Sequence, residues 1–205
     1  MQSCTDNLVY TGADIEVVLT GNTYKAAFTE SSPVSTFNSG NQILLNASGS
    51  LQIDNRILTY MDNQWKAENE FSWSDITGKT NITALYPVYP DLDYIQENLY
   101  KNNSLEDILY VKDEFPAGNS IHLQFKHLFS LLTLYLDRDL QTNLQKIEIT
   151  CPAVSSIIPK SAEIVPADNE TYTTTIAQVS PSGNYSFIVP PVKNMVIAIN
   201  MVTNG

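Results

Sequence analysis

Apolar and polar residues alternate along most of the chain with a period of two, which is typical of β-strands rather than helices. Turn-forming Gly, Asn, Asp and Pro separate these short alternating segments. The predicted strands are Asp14–Thr20, Tyr24–Thr29, Gln42–Asn46, Ser50–Ile53, Ile57–Met61, Gln64–Ala67, Asn81–Tyr86, Lys146–Cys151, Thr171–Gln178, Tyr185–Val189 and Met195–Val202. Many short strands with regular turn signals predict an all-β protein of the sandwich class.

The segment Ile121–Leu136 is too long to be one strand of a small sandwich. Its odd positions form one apolar face, and beyond Leu128 both faces are apolar. At ~3.3 Å per residue the segment would span ~50 Å. We therefore expect it to bend or to change sheets at 127–129.

Residues 91–113 depart from the alternating pattern. Leu92, Ile95 and Leu99 lie at helical spacing, and Ser104 could be the N-cap of a second short apolar group. We expect one or two short helical turns within a long connection between strands. The chain is predicted to form two domains. These domains are predicted to cover 1–120, with 1–13 flexible, and 121–205. The second is short for a sandwich and could lack closing strands, which would leave an exposed edge for another strand to fill.

Composition narrows the class of partner. The 205 residues carry a net charge of −11, and only 16% of them are charged. Nucleic-acid binding requires clustered Lys and Arg, so we expect no nucleic-acid partner. The sequence also has no apolar run of 18 residues that could span a membrane and no basic patch for an anionic membrane surface.

The two cysteines have different sequence contexts. Met1-Gln2-Ser3-Cys4 resembles the end of a lipoprotein signal, in which a Cys after a small residue receives the lipid, although a chance Cys at a frayed terminus would look the same. Cys151 lies on the apolar face of a predicted strand. We interpret it as a buried, unpaired thiol that acts as a small hydrophobic side chain.

The search for catalytic and metal-binding motifs is negative. The sequence has no G-x-S-x-G elbow, no P-loop, no dinucleotide-binding glycine motif and no H-E-x-x-H. His122 and His127 are five residues apart on one predicted strand, which places them on opposite faces. We interpret His127 as a core histidine bonded to a backbone group. The acidic loop Asp91–Asp93 lacks the spacing of a calcium loop, so no catalytic residue, metal or cofactor is predicted.

Aromatic residues are concentrated in 60–94, and they allow two interpretations. The set is Tyr60, Trp65, Phe71, Trp73, Tyr86, Tyr89 and Tyr94. Those that alternate with polar residues fit the core of the first domain. Tyr89 and Tyr94 lie in the Pro-rich connection, and we expect them to be exposed, where they could stack on a sugar or contact a protein partner.

The order of several short motifs resembles the fimbrillin-like family of oral and gut Gram-negative anaerobes. The motifs are Gly40–Leu45, Tyr60 to Trp65, Ala84–Pro87, Asp107–Leu109 and Phe125–Ser130. Together they cover roughly Ala26 to Leu136. Asn41 stands where the family usually has Asp.

The resemblance implies a fold, a location and a mode of assembly. It implies two transthyretin-like (Ig-like) β-sandwich domains, a lipid on Cys4, and a place in fimbriae at the outer membrane and cell surface. In such proteins an Arg- or Lys-specific protease removes the first strand, and a donor strand from a neighbouring subunit fills the groove. By position, Asp14–Thr20 would be the removable strand and Lys25 the processing site.

Three functions remain as hypotheses at this point. The first is a non-enzymatic pilus subunit or adhesin whose partners are other pilus subunits. The second is a surface lipoprotein that binds glycans through exposed aromatics. The third is a surface hydrolase with paired carboxylates.

Overall fold

The alternating segments of the sequence form strands in the computed structural model. It describes residues 14–19, 37–62, 64–67, 76–101, 104–117, 120–137, 144–176, 184–191 and 196–203. The strands are β1 Asp14–Leu19, β2 Gln42–Gly49, β3 Ile53–Met61, β4 Gln64–Ala67, β5 Thr80–Tyr86, β6 Tyr100–Lys101, β7 Ser104–Leu105, β8 Leu109–Phe115, β9 Ser120–His127, β10 Ser130–Tyr135, β11 Leu144–Ile158, β12 Glu163–Ile176, β13 Asn184–Val189 and β14 Ala198–Thr203. The prediction of an all-β protein is confirmed.

The connection 91–113 contains short helical turns, as predicted, and they lie in its first half. A 3-10 turn at Pro90–Leu92 and one helix, α1 at Gln96–Leu99, account for the helical spacing of its first half. The second turn, predicted after Ser104, is wrong. Ser104–Leu105 is instead a strand that pairs with β6 as a short hairpin, because burial of Ser104 and Leu105 against the protein outweighs the local capping preference. Similarly, the predicted strand Ser50–Ile53 is mainly a turn.

The first large element is a seven-stranded sheet in the order β1-β9-β8-β5-β2-β3-β4. Its neighbours are antiparallel except β1, which runs parallel to β9. The sheet is strongly curved, so that residues near its two edges contact the same ring. The centroid of the Phe37 ring lies 5.1 Å from that of Trp65 on β4 and 5.7 Å from that of Phe125 on β9. The enclosed core contains buried aliphatic side chains from the inner face of β2, β5, β8 and β9.

The long apolar segment after residue 120 changes sheets where the sequence predicts it. β9 belongs to the seven-stranded sheet, whereas β10 pairs with β13 in a separate two-stranded sheet. Leu128 and Phe129 lie between the two strands. The division into domains at 120/121 stays a prediction, although that border would fall within β9.

The C-terminal residues form a smaller sandwich. Its three-stranded sheet has the order β12-β11-β14, and β10 and β13 provide the opposing layer. The core between them includes Ile147, Ile149, Tyr185 and Phe187, each no more than 1% exposed. Cys151 is 5% exposed in the same core and makes no disulfide, as predicted.

A third apolar cluster joins the two parts of the molecule. Leu44 and Leu85 on the outer face of the seven-stranded sheet pack with Val154 and Ile157 of β11. The same cluster includes Tyr94 and Leu99 from the connection. The outer face of the first sheet is therefore covered at one end by the C-terminal half.

Candidate functional site

The C-terminal sandwich is incompletely covered at β14. In the antiparallel pair of β11 and β14, Ile149 lies opposite Ile199 and Ile147 lies opposite Met201. Directly opposed residues place their side chains on the same face of a sheet. Ile147 and Ile149 are buried, yet Ile199 is 44% exposed and Met201 is 42% exposed. Two apolar side chains on the inner face of the sandwich thus meet solvent.

The opposing layer has the same asymmetry. Leu132 lies opposite Phe187 and Leu134 lies opposite Tyr185 in the pair of β10 and β13. Phe187 and Tyr185 are buried, whereas Leu132 and Leu134 are only half-buried. The inner face of β10 is therefore open in the way that the inner face of β14 is.

The contacts of the β6–β7 hairpin show that these two open strands lie on one side of the sandwich. β7 contacts both β12 and β13, so this hairpin closes the side where those strands lie. β10 and β14 are the other members of their sheets and lie on the opposite side. We call this side the open seam, defined by Leu132, Leu134, Ile199 and Met201.

The open seam combines apolar side chains with strand edges. Within the described ranges, β14 pairs only with β11 and β10 only with β13, so each has one edge with no strand beside it. A strand edge offers N–H and C=O groups to another strand. A strand entering the seam would gain these hydrogen bonds and would cover the exposed apolar side chains.

The expectation that Tyr89 and Tyr94 are exposed is wrong. They are 4% and 2% exposed, and their rings pack edge to face with centroids 5.0 Å apart. The Tyr94 hydroxyl donates to the Pro87 carbonyl at 2.6 Å, and the Tyr89 hydroxyl donates to the Glu106 carboxylate. Burial raises the pKa of both phenols. The Pro-rich connection folds inward because both rings have an apolar cluster to fill and a partner for each hydroxyl.

His127 is paired with a carboxylate that the sequence interpretation did not include. Its Nδ1 lies 3.0 Å from both carboxylate oxygens of Asp107, which is 6% exposed. The interpretation that a backbone group satisfies this histidine overlooked that carboxylate, which comes from the connection 20 residues earlier. The hydrogen bond to Asp107 raises the pKa of His127, and partial burial opposes that rise.

The remaining predicted site residues lie outside the described part of the chain. These are Cys4, Lys25 and the side chain of His122. Among the described residues, no group of three or more His, Cys, Asp or Glu side chains is placed to hold a metal ion. In the same ranges, no helix has the length and apolarity needed to cross a membrane.

The sequence predicts only part of the open seam. Ile199 and Met201 alternate with Ala198 and Asn200, which indicates one apolar face on this strand. Alternation identifies the inward face but not whether another layer covers it. That information comes from the packing of β10 and β13.

Comparison with known proteins gives a likeness in fold. The chain is similar to a candidate cell adhesion protein from Bacteroides ovatus ATCC 8483, whose crystal structure was determined at 2.18 Å resolution. The TM-score is 0.53 at 12% sequence identity, and the match covers 94% of this chain and 84% of that chain. No protein-family model and no curated protein matches the sequence. The likeness concerns the fold, and the fimbrillin-like family stays a prediction with which it is compatible.

Proposed function

We propose that this chain is a non-enzymatic cell-surface adhesion protein that joins neighbouring subunits by strand addition at the open seam. The observation that carries the proposal is the exposure of Ile199 and Met201 on the inner face of the C-terminal sandwich. The residues opposite them on β11 are buried. A monomer with this surface exposes both apolar area and strand edges. Both are features that an added β-strand would cover.

Two further observations support a role at the cell surface. The protein with the similar fold is described as a candidate cell adhesion protein, and the sequence motifs resemble fimbrillin-like proteins. On this proposal Cys4 carries a lipid that anchors the protein in the outer membrane. Metabolic labelling with a radioactive fatty acid should label the protein expressed from its own gene in its native host, and Cys4→Ser should abolish the label.

β1 is the strand that the proposal assigns to proteolytic removal. It lies at the edge of the seven-stranded sheet and runs parallel to its neighbour β9. Parallel pairing is slightly less stable per residue than antiparallel pairing. Cleavage after Lys25 would separate β1 from the rest of the chain, and its release would leave the edge of β9 available as a second acceptor.

The processing step can be tested with a Lys-specific protease. Limited digestion should remove the residues up to Lys25, and the folded remainder should form oligomers at micromolar concentration. Lys25→Gln, which keeps a polar side chain but removes the positive charge that the protease recognises, should prevent both changes. A cleaved and folded protein that stays monomeric in sedimentation velocity would contradict assembly by strand addition after processing.

Tyr89 and Tyr94 are not accessible to a glycan, so they do not support the alternative function of glycan binding. Both rings are buried, and both hydroxyls are bonded within the protein. A sugar could stack on them only after the connection had opened. Any glycan site of this protein must therefore use other residues.

A further inference from the structure

The outer face of the seven-stranded sheet changes from apolar to polar along its strands. Across β2, β5 and β8, Leu44, Leu85 and Tyr110 form one cross-strand row that the C-terminal half covers. The next two rows on the same face consist of polar residues. They are Asn46, Thr83 and Lys112, followed by Ser48, Asn81 and Glu114.

The turn between β11 and β12 makes this polar surface concave. The Thr83 hydroxyl donates to the Lys160 carbonyl at 3.0 Å, and the Lys160 ammonium lies 2.9 Å from the Asp54 carboxylate. The turn is thus held above the sheet from two sides. The resulting outer-face groove has a volume of about 760 Å³ and is lined by the two polar rows with Gln52, Asp54, Lys160 and Ser161. That volume lies within the range of small-molecule sites.

Two polar atoms of residues lining the groove are buried and have no hydrogen-bond partner. Asn46 is 6% exposed, and its Oδ1 accepts a hydrogen bond from the Asn55 N–H at 2.9 Å. That bond leaves the Asn46 Nδ2 unpartnered, and the Ser161 Oγ is unpartnered as well. Both atoms have almost no accessible surface, so they lie beneath the floor of the groove. The exposed floor side chains, such as Ser48 and Asn81, are therefore the ones that can meet a ligand.

The chemistry of the lining favours a neutral, hydroxyl-rich ligand. The charged residues that line the groove are Lys112, Lys160, Asp54, Asp113 and Glu114, so it is close to charge balance in a chain of net charge −11. Its floor presents side-chain amides and hydroxyls, which both donate and accept hydrogen bonds. With strands ~4.8 Å apart and same-face residues two positions apart, the two rows span about 10 Å by 7 Å. A surface of that size accommodates one or two sugar rings.

The position of the groove argues against an extended peptide. The floor lies on β5, whose two edges are already paired with β2 and β8. No strand can add to a paired edge, so the floor offers side chains and not backbone groups. We propose that the outer-face groove binds one or two sugar units of a neutral glycan. This inference rests on the surface role proposed above and is independent of strand addition.

The test uses the full chain on an array of neutral, sialylated and sulfated oligosaccharides, followed by calorimetric titration with the best binder. We expect neutral glycans to bind. Asn81→Leu and Ser48→Leu each put an apolar side chain on the exposed floor and should lower the affinity by about tenfold or more. Gln42→Leu is the matched control, since Gln42 is exposed on the same strand as Ser48 but outside the groove. It should bind as the unmodified protein does.

Each result has a defined meaning. Absence of neutral-glycan binding, preference for sialylated or sulfated glycans, or unchanged binding by the two floor variants would each overturn the assignment. Circular dichroism and urea unfolding of the variants identify any loss that comes from misfolding. A variant with Ile199→Ser and Met201→Ser should keep its glycan affinity, so failure of the glycan site and failure of strand addition are separately observable.

Discussion

Replacement of two apolar side chains in the open seam should weaken subunit assembly as well as lower the stability of the monomer. The variant carries Ile199→Ser and Met201→Ser. Full burial of an Ile or Met side chain contributes about 1.5–3 kcal/mol. Because Ile199 is 44% exposed and Met201 is 42% exposed, an added strand could still contribute about 0.6–1.3 kcal/mol at each position. The two together amount to about 1–2.5 kcal/mol, or roughly a 5- to 60-fold change in affinity.

The chain offers a closely matched control for this experiment. Ile158 is 44% exposed and Met61 is 42% exposed, the same values as for the seam pair. Neither belongs to the apolar core between the two layers of the C-terminal sandwich. Ile158→Ser with Met61→Ser removes the same side chains at the same exposure. Both double variants should lose about 1–2 kcal/mol of unfolding free energy per side chain.

Sedimentation velocity on the protease-processed protein measures assembly, and urea unfolding measures monomer stability. The seam variant should shift the oligomerisation midpoint to a higher concentration by the factor above, whereas the control variant should not shift it. Equal shifts for both variants would show that general surface apolarity drives association. No shift for the seam variant would remove the open seam from the mechanism of assembly.

Three further predictions concern stability and reactivity. The pKa of His127 is raised in the folded state by its hydrogen bond to Asp107. This pairing therefore stabilises the fold fully below the unfolded pKa near 6.5, and the effect is lost as pH rises through the folded pKa. His127→Gln should cost more unfolding free energy at pH 5.5 than at pH 8.5, and an equal cost at both would contradict the pairing. Gly49→Ala should lower the thermal unfolding temperature more than Gly40→Ala. Both glycines have a positive φ, but only at Gly49 would an added Cβ lie 2.4 Å from a backbone oxygen, that of Lys79. Equal losses would show that this steric contact does not matter. Burial raises the pKa of the Cys151 thiol, so in a Cys4→Ser background a thiol reagent at pH 8 should react only after denaturant is added, and rapid modification of the native protein would contradict its burial.

Local patterns in the sequence by themselves determined much of the fold. Period-two alternation identified most of the described strands, and the impossible length of Ile121–Leu136 located the change of sheets between β9 and β10. Alternation also identified Cys151 as a buried thiol. These features depend on residues close in sequence, for which side-chain periodicity is a sufficient guide.

Tertiary structure decided the features on which function depends. Tyr89 and Tyr94 have the sequence context of an exposed loop, but an apolar cluster from distant segments buries them. Asp107 reaches His127 only because the connection folds back onto β9. Ile149 and Ile199 are the same residue type and lie opposite each other on one sheet face, yet one is buried and the other is exposed because the opposing layer does not extend over β14. Alternation tells which way a side chain points, whereas what covers it is set by residues remote in sequence.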